Sequence, residues 1–118
     1  VAAGVEVAEA LGAAKILATS GISAEGIDVF SVKPFDKPTL LASIGKTGCV
    51  VTCEEHSTVG GLGSAVADII GENHPVPLER VGVRDEFGTS GSPDELLAAY
   101  GLDAAGIVAK AQAAVARK

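Results

Sequence analysis

The stretch VVTCEEHSTVGGLGSAVADII, residues 50–70, decides how this chain folds. Its first residues belong to a β-prone run, 49–53 (CVVTC), which has no polar face and suits a central strand covered on both sides. The chain then passes through Gly60-Gly61-Leu62-Gly63 and enters a helical pattern over about 61–71. There Ser64, Asp68 and Glu72 form one stripe, while Leu62, Val66, Ile69 and Ile70 face the other way. Strand, tight turn and helix make up one half of a βαβ unit.

The same alternation continues on both sides. Residues 1–3 (VAA) read as the tail of a strand that began earlier, ending at Gly4. Residues 5–19 are long enough for a helix; its charges are Glu6, Glu9 and Lys15, so it is expected to be buried over much of its circumference, with Gly21 as its stop. Residues 27–32 (IDVFSV) alternate as a strand and end at Lys33-Pro34. Asp36 can cap a short helix that carries Pro38 in its first turn and runs to about Ile44, before Lys46-Thr47-Gly48 turns the chain. After Pro75 and Pro77, residues 78–83 (LERVGV) read as another strand. Residues 92–101 carry the sharpest local signal: Ser92 as N-cap, Pro93 at the first helical position, Glu95 closing a capping box and Gly101 as the stop. A last helix over 104–118 ends in basic residues that suit its dipole. Strands alternating with helices predict an α/β fold, a mostly parallel sheet with helices on both faces. The length, 118 residues, fits one domain over 1–118, its first strand truncated at the start.

The bulk composition narrows the function classes. Apolar residues make up 47 % and only four residues are aromatic (three Phe, one Tyr), so a packed core of small side chains is expected. A net charge of −6 argues against a nucleic-acid or anionic-membrane surface, and Arg117-Lys118 is too short a basic run to change that. No apolar stretch approaches the roughly 20 residues of a membrane span. Glu6 and Glu9 stand where a signal peptide would be basic. Cys49 and Cys53, four apart on one strand, would be about 13 Å apart at about 3.3 Å per residue, too far for a disulfide. They read as reduced thiols in a cytoplasmic protein. Neither Cys-x-x-Cys nor His-x-x-x-His occurs, and His56 and His74 are far apart, so no zinc site is spelled out.

Three regions could carry chemistry. Cys53, Glu54, Glu55 and His56 lie at the carboxyl end of a parallel strand, where ligands gather in such folds. On an extended backbone Cys53 and Glu55 share one side and Glu54 and His56 the other, so a Cys53–His56 pair would need a turn there. A hydrogen-bonded loop or a domain interface is the plainer reading. The glycine turn has the right context for an anion on a helix N-terminus, yet it matches neither the dinucleotide fingerprint, since Val66 stands where the third glycine belongs, nor the P-loop. Close packing of helix on sheet would also explain its glycines. Glu55, His56, Gly60, Gly61 and Gly63 are therefore the candidate anion or interface site. Arg80, Arg84 and Asp85 with EFGTSGSP form the third region, in which Phe87 suits an interface anchor.

The chain resembles the C-terminal domain of transketolase-like, thiamine-diphosphate-dependent enzymes. VVTCEEHSTVGGLGSAVADII (50–70) carries the strongest match, supported by PLERVGVRDEFGTSGSPDELLAAYGL (77–102), AAGVEVAEAL (2–11) and VKPFDKPTL (32–40). These motifs are specific, in order, and cover almost the whole chain. Deoxyxylulose-phosphate synthases and 2-oxoacid dehydrogenase β subunits are siblings; Glu55-His56-Ser57 looks more like transketolase, and Phe35 departs from the commoner leucine. The resemblance implies a three-layer α/β/α fold with a mixed, mostly parallel five-stranded sheet. It implies dimer architecture, with the remaining transketolase domains or an N-terminal subunit as partners and a homodimer in the parent enzyme. It also implies that thiamine diphosphate and Mg²⁺ are held by other domains, so no catalytic, cofactor or metal residue is carried onto this chain. The parent reaction would be two-carbon ketol transfer between sugar phosphates, in the pentose phosphate pathway. Two other readings of the residues stay open: a small-molecule or anion-binding regulatory module at the glycine turn, and a hydrolase using Cys53 and His56.

Overall fold

The computed structural model describes residues 1–4, 6–29, 35–57, 61–83 and 101–118. Among these described residues six elements follow in order: α1 (Glu6–Thr19), α2 (Lys37–Thr47), β1 (Val50–Ser57), α3 (Leu62–Asn73), β2 (Leu78–Val83) and α4 (Ala104–Ala116). Several of their ends obey local signals. Gly21, at φ 80°, ends α1: its N–H reaches Ala18 O at 3.1 Å and the Ile22 N–H reaches Leu17 O at 3.0 Å, the paired bonds of a Schellman cap. Asp36 caps α2 by accepting from the Thr39 N–H at 3.2 Å and the Thr39 hydroxyl at 2.6 Å.

β1 and β2 pair in parallel, Val50 opposite Leu78, Thr52 opposite Arg80 and Cys53 opposite Val81. Residues 1–3 lie against the other edge of β1. Ala2 forms isolated parallel bridges to both Cys53 and Asp28. The Cys53 N–H donates to Val1 O at 2.8 Å, and the Val29 N–H to Ala2 O at 2.9 Å. The lateral order is thus 27–29, 1–3, β1, β2, all parallel.

Of the five-stranded mixed sheet implied by the resemblance, the parallel α/β part is seen. Among the described residues there are two strands, and every pairing is parallel. Segments 1–3 and 27–29 meet the sheet through single bridges, too short to count as ladders. The rest of the expected 27–32 strand lies outside the described residues, as do the helix expected over 92–101 and the loop with Arg84, Asp85 and Phe87.

Side chains alternate along these segments and divide the core in two. Ala2, Cys53 and Val81 point toward α1 and α4, where they meet Ala13, Leu102 and Ile107. Val50 and the half-buried Leu78 point toward α2 and α3, where they meet Leu40, Ile44, Leu62 and Val66. Central β1 is therefore covered on both faces, as its apolar run predicts. α1 differs from expectation: only Glu6, Ala13 and Leu17 are buried, while Leu11 and Ile16 are 59 % and 46 % exposed. Its one covered stripe faces the sheet and α4, and the small Gly12 lets Ala104 approach.

Candidate functional site

The deciding stretch forms a longer strand than its apolar run suggests. β1 continues through Glu54, Glu55 and His56 to Ser57. From the Cys53–Val81 pair to the Ser57–Val83 pair, β1 advances four residues and β2 two, so β1 carries an irregularity of the bulge kind. Such insertions re-aim side chains near the end of a strand.

Glu54 sits at this point, on the α3 side of the sheet and only 3 % exposed. Its Oε1 accepts from the Leu62 N–H at 3.0 Å and its Oε2 from the Gly63 N–H at 2.7 Å. The first N–H groups of a helix have no partner within the helix. The N-cap of α3 is Gly61, which has no side chain to offer them. A carboxylate from the preceding strand supplies both acceptors, and its charge lies at the positive end of the helix dipole. The anion on this helix N-terminus is thus part of the protein itself.

Gly63 makes the approach possible. A Cβ there would lie 3.0 Å from Arg80 Cδ and 3.1 Å from Thr52 Oγ1, both on the same face of the paired strands. The α3 backbone rests where only a glycine fits without displacing these side chains.

Of the sequence-predicted site residues, Gly61 is the N-cap and Gly63 is buried in the first turn of α3. Glu55 and His56 belong to the β1 backbone; their side chains, like Gly60, lie outside the described residues. His74 is at the far end of α3, as its C-cap. Cys49 and Cys53 are both free thiols. Cys53 is 2 % exposed. Burial pushes its thiol up to about 11, and the nearby Glu6 and Glu54 carboxylates push in the same direction. A buried thiol that keeps its proton at neutral pH is a poor nucleophile, which argues against a Cys53 hydrolase.

Two further polar contacts were not anticipated from the sequence. Asp103 caps α4 by accepting from the Gly106 N–H at 3.0 Å, a local signal legible one residue ahead of the helix. Glu9, in the first turn of α1, accepts from the Ala104 N–H at 2.9 Å across 95 positions of sequence. No spacing pattern points to that pair.

The residues of this chain match the family model described as transketolase, C-terminal domain, over residues 1–107. The chain belongs to the transketolase C-terminal domain family. A 6-deoxy-6-sulfo-D-fructose transketolase subunit of Clostridium sp. (strain MSTE9) is 55 % identical over 99 % of this chain and 36 % of its own length. The 1-deoxy-D-xylulose-5-phosphate synthase 1 of Geobacter sulfurreducens is 40 % identical over 100 % of this chain and 19 % of its own length. A solved structure described as a split gene transketolase, inactive beta4 tetramer, superposes with a TM-score of 0.95 at 50 % identity, covering 99 % of this chain and 38 % of that one. The chain therefore spans between a fifth and two fifths of the length of these relatives.

Full enzymes of the transketolase family depend on thiamine diphosphate. The geometry around the glycine turn of this C-terminal domain does not fit a diphosphate. Glu54 already takes the Leu62 and Gly63 N–H groups, and its buried negative charge would repel a second anion. Among the described residues no group of three His, Cys, Asp or Glu side chains is placed to hold a metal ion. Among them, too, no helix is long and apolar enough to cross a membrane.

Proposed function

We propose that this chain is the C-terminal assembly domain of a transketolase-type enzyme, supporting two-carbon ketol transfer between sugar phosphates without contributing a catalytic or cofactor-binding residue. Thiamine diphosphate and Mg²⁺ are held by the other domains, whether on one longer polypeptide or on an N-terminal companion subunit. The working enzyme is a cytoplasmic homodimer of such units in the pentose phosphate pathway. The domain has the family's three-layer α/β/α form, with a mixed, mostly parallel five-stranded sheet. The surface presented to the rest of the enzyme is the carboxyl end of β1 with the turn that follows it, Glu55, His56, Gly60 and Gly61, the buried Gly63 setting that turn close against the sheet.

One observation carries this reading. The most site-like stretch in the chain uses its helix N-terminus to bind its own Glu54, at 2.7 and 3.0 Å, and so serves to hold β1 and α3 together. The family match and the description of one relative as a subunit point to partners that supply the chemistry.

The test has two arms. Calorimetric titration of the isolated chain with thiamine diphosphate and Mg²⁺ is expected to show no binding, and the chain alone no ketol transfer; tight cofactor binding by the chain overturns the reading. Mixing it with the polypeptide that carries the other two domains is expected to restore transfer between a ketose phosphate and an aldose phosphate. The double variant Glu55→Ala, His56→Ala is expected to weaken that association while leaving the melting temperature of the isolated chain unchanged. An unchanged association would remove these residues from the interface.

A further inference from the structure

The far edge of β2 carries contacts that the glycine turn does not explain. Successive residues of a strand direct their backbone groups to opposite edges. The Val50 N–H donates to Pro77 O at 3.0 Å, and Val50 stands opposite Leu78. Pro77, Glu79 and Val81 therefore turn their backbone groups toward β1, while Leu78, Arg80 and Gly82 turn theirs away from it. Among the described residues no strand or bridge pairs with that outward edge.

A side chain reaches that edge instead. Arg117, the C-cap of α4, donates from Nη1 to Leu78 O at 3.1 Å and also to Glu79 Oε2. Lys110, two turns earlier on α4, places its Nζ 3.6 Å from Glu79 Oε1. Glu79 is thus held between two cations, with its side chain 17 % exposed, and it keeps Arg117 in place over the Leu78 carbonyl. The end of α4 suits a cation, because the last carbonyls of a helix carry partial negative charge. Arg117 itself is 54 % exposed. Ion pairs this open add little to stability, so holding the fold together is not what the contact does best. Its distinctive effect is to occupy an acceptor on the edge of a strand.

We propose that Arg117 guards the outward edge of β2. By holding the Leu78 carbonyl it keeps a second copy of this chain from adding its own β2 there. The need follows from the strand: Leu78–Val83 has no proline, and an open edge of this kind is a template for a further strand. A second copy is the partner to be kept off, because it brings the identical edge in every encounter. The charges of β2 work in the same direction. When two copies align antiparallel with Leu78 opposite Gly82, Arg80 stands against Arg80. With Leu78 opposite Arg80, Glu79 stands against Glu79. Like charges directly opposite each other are unfavourable. Arg117 adds what repulsion alone cannot, since salt screens charges but leaves the hydrogen bond to Leu78 O in place. The guard sits at the amino end of β2, away from the assembly surface at the carboxyl end of β1.

The parent chain, Arg117→Ala and Arg117→Lys test this, in high salt so that the Arg80 and Glu79 charges are screened. Sedimentation velocity over a range of protein concentrations reads self-association, and amide hydrogen exchange reads the outward N–H groups of Leu78 and Arg80. Arg117→Ala is expected to associate at a concentration about ten-fold or more below that of the parent, with exchange at both amides slowed about ten-fold as it does so. Arg117→Lys keeps a charged donor within reach of Leu78 O and is expected to behave as the parent does. Equal association of the parent and Arg117→Ala overturns the proposal. So does association of Arg117→Ala without protection of Leu78 and Arg80, since the contact would then lie elsewhere. Association of Arg117→Lys as strong as that of Arg117→Ala would overturn the role given to a donor on Leu78 O. None of these outcomes depends on whether the chain supports ketol transfer.

Discussion

Glu54 shows how one side chain can replace a cap that the local sequence lacks. Its two oxygens take two N–H groups of α3 that Gly61 cannot serve. Glu54→Ala leaves both donors buried without acceptors and is expected to cost about 2–3 kcal/mol. Glu54→Gln keeps one acceptor and loses the charge, and is expected to cost about half as much. Urea midpoints measure both; an Ala variant as stable as the parent would mean that the contact contributes nothing net. Cys53 gives a pH signature on the other face of the strand. Burial raises its thiol from 9.0 to about 11, so the folded state holds this proton more tightly than the unfolded chain does. The resulting stability is fully present below pH 9 and is lost as pH rises toward 11, a decline on the order of 2 kcal/mol. Stability followed from pH 8 to 11 is expected to fall more steeply in the parent than in Cys53→Ala. Parallel curves would show that Cys53 does not titrate with unfolding.

At the scale of elements, two helices draw an acceptor at their start from another element. α3 is capped from β1, and α4 takes one acceptor from its own Asp103 and another from Glu9 on α1. The same closeness makes glycines in helices unequal. A Cβ on Gly106 in α4 would stand 2.0 Å from Gly101 O, which is backbone and cannot rotate away. Gly71 in α3 has nothing within 4 Å of such a Cβ. Alanine has the better helix propensity by about 1 kcal/mol. Gly71→Ala is therefore expected to stabilise by about 0.5–1 kcal/mol, whereas Gly106→Ala is expected to destabilise by about 2 kcal/mol or more. Thermal or urea unfolding of the two variants checks the opposite signs; a stabilised Gly106→Ala would mean that α4 does not pack on the 101 turn in this way.

For the whole molecule, two cores on opposite faces of parallel segments position everything else. The carboxyl end of β1 leads through Gly61 into α3, which rests on one of the two covered faces. Much of this was legible from residue patterns. The apolar run before the glycines gave a strand covered twice, residues 78–83 formed a strand with those bounds, and Asp36, Pro38 and Gly21 marked helix ends where they were expected. Each of these signals acts within a turn or along one face, so nearby residues suffice to read it. The extent of β1 was not legible, because Glu54, Glu55 and His56 are poor strand formers held extended by neighbouring segments rather than by their own preference. Nor was the occupant of the helix N-terminus: a glycine turn after a strand looks the same whether it binds a ligand or an internal carboxylate. Local patterning thus settled the class of fold and the alternation of its elements, because hydrophobic period and capping are short-range. Three-dimensional packing settled that Glu54 belongs to α3, that Glu9 belongs to α4 across 95 positions, and that Gly63 must be small. Those facts depend on where a strand bulges and how closely a helix rests on a sheet, which no stretch of the chain encodes by itself.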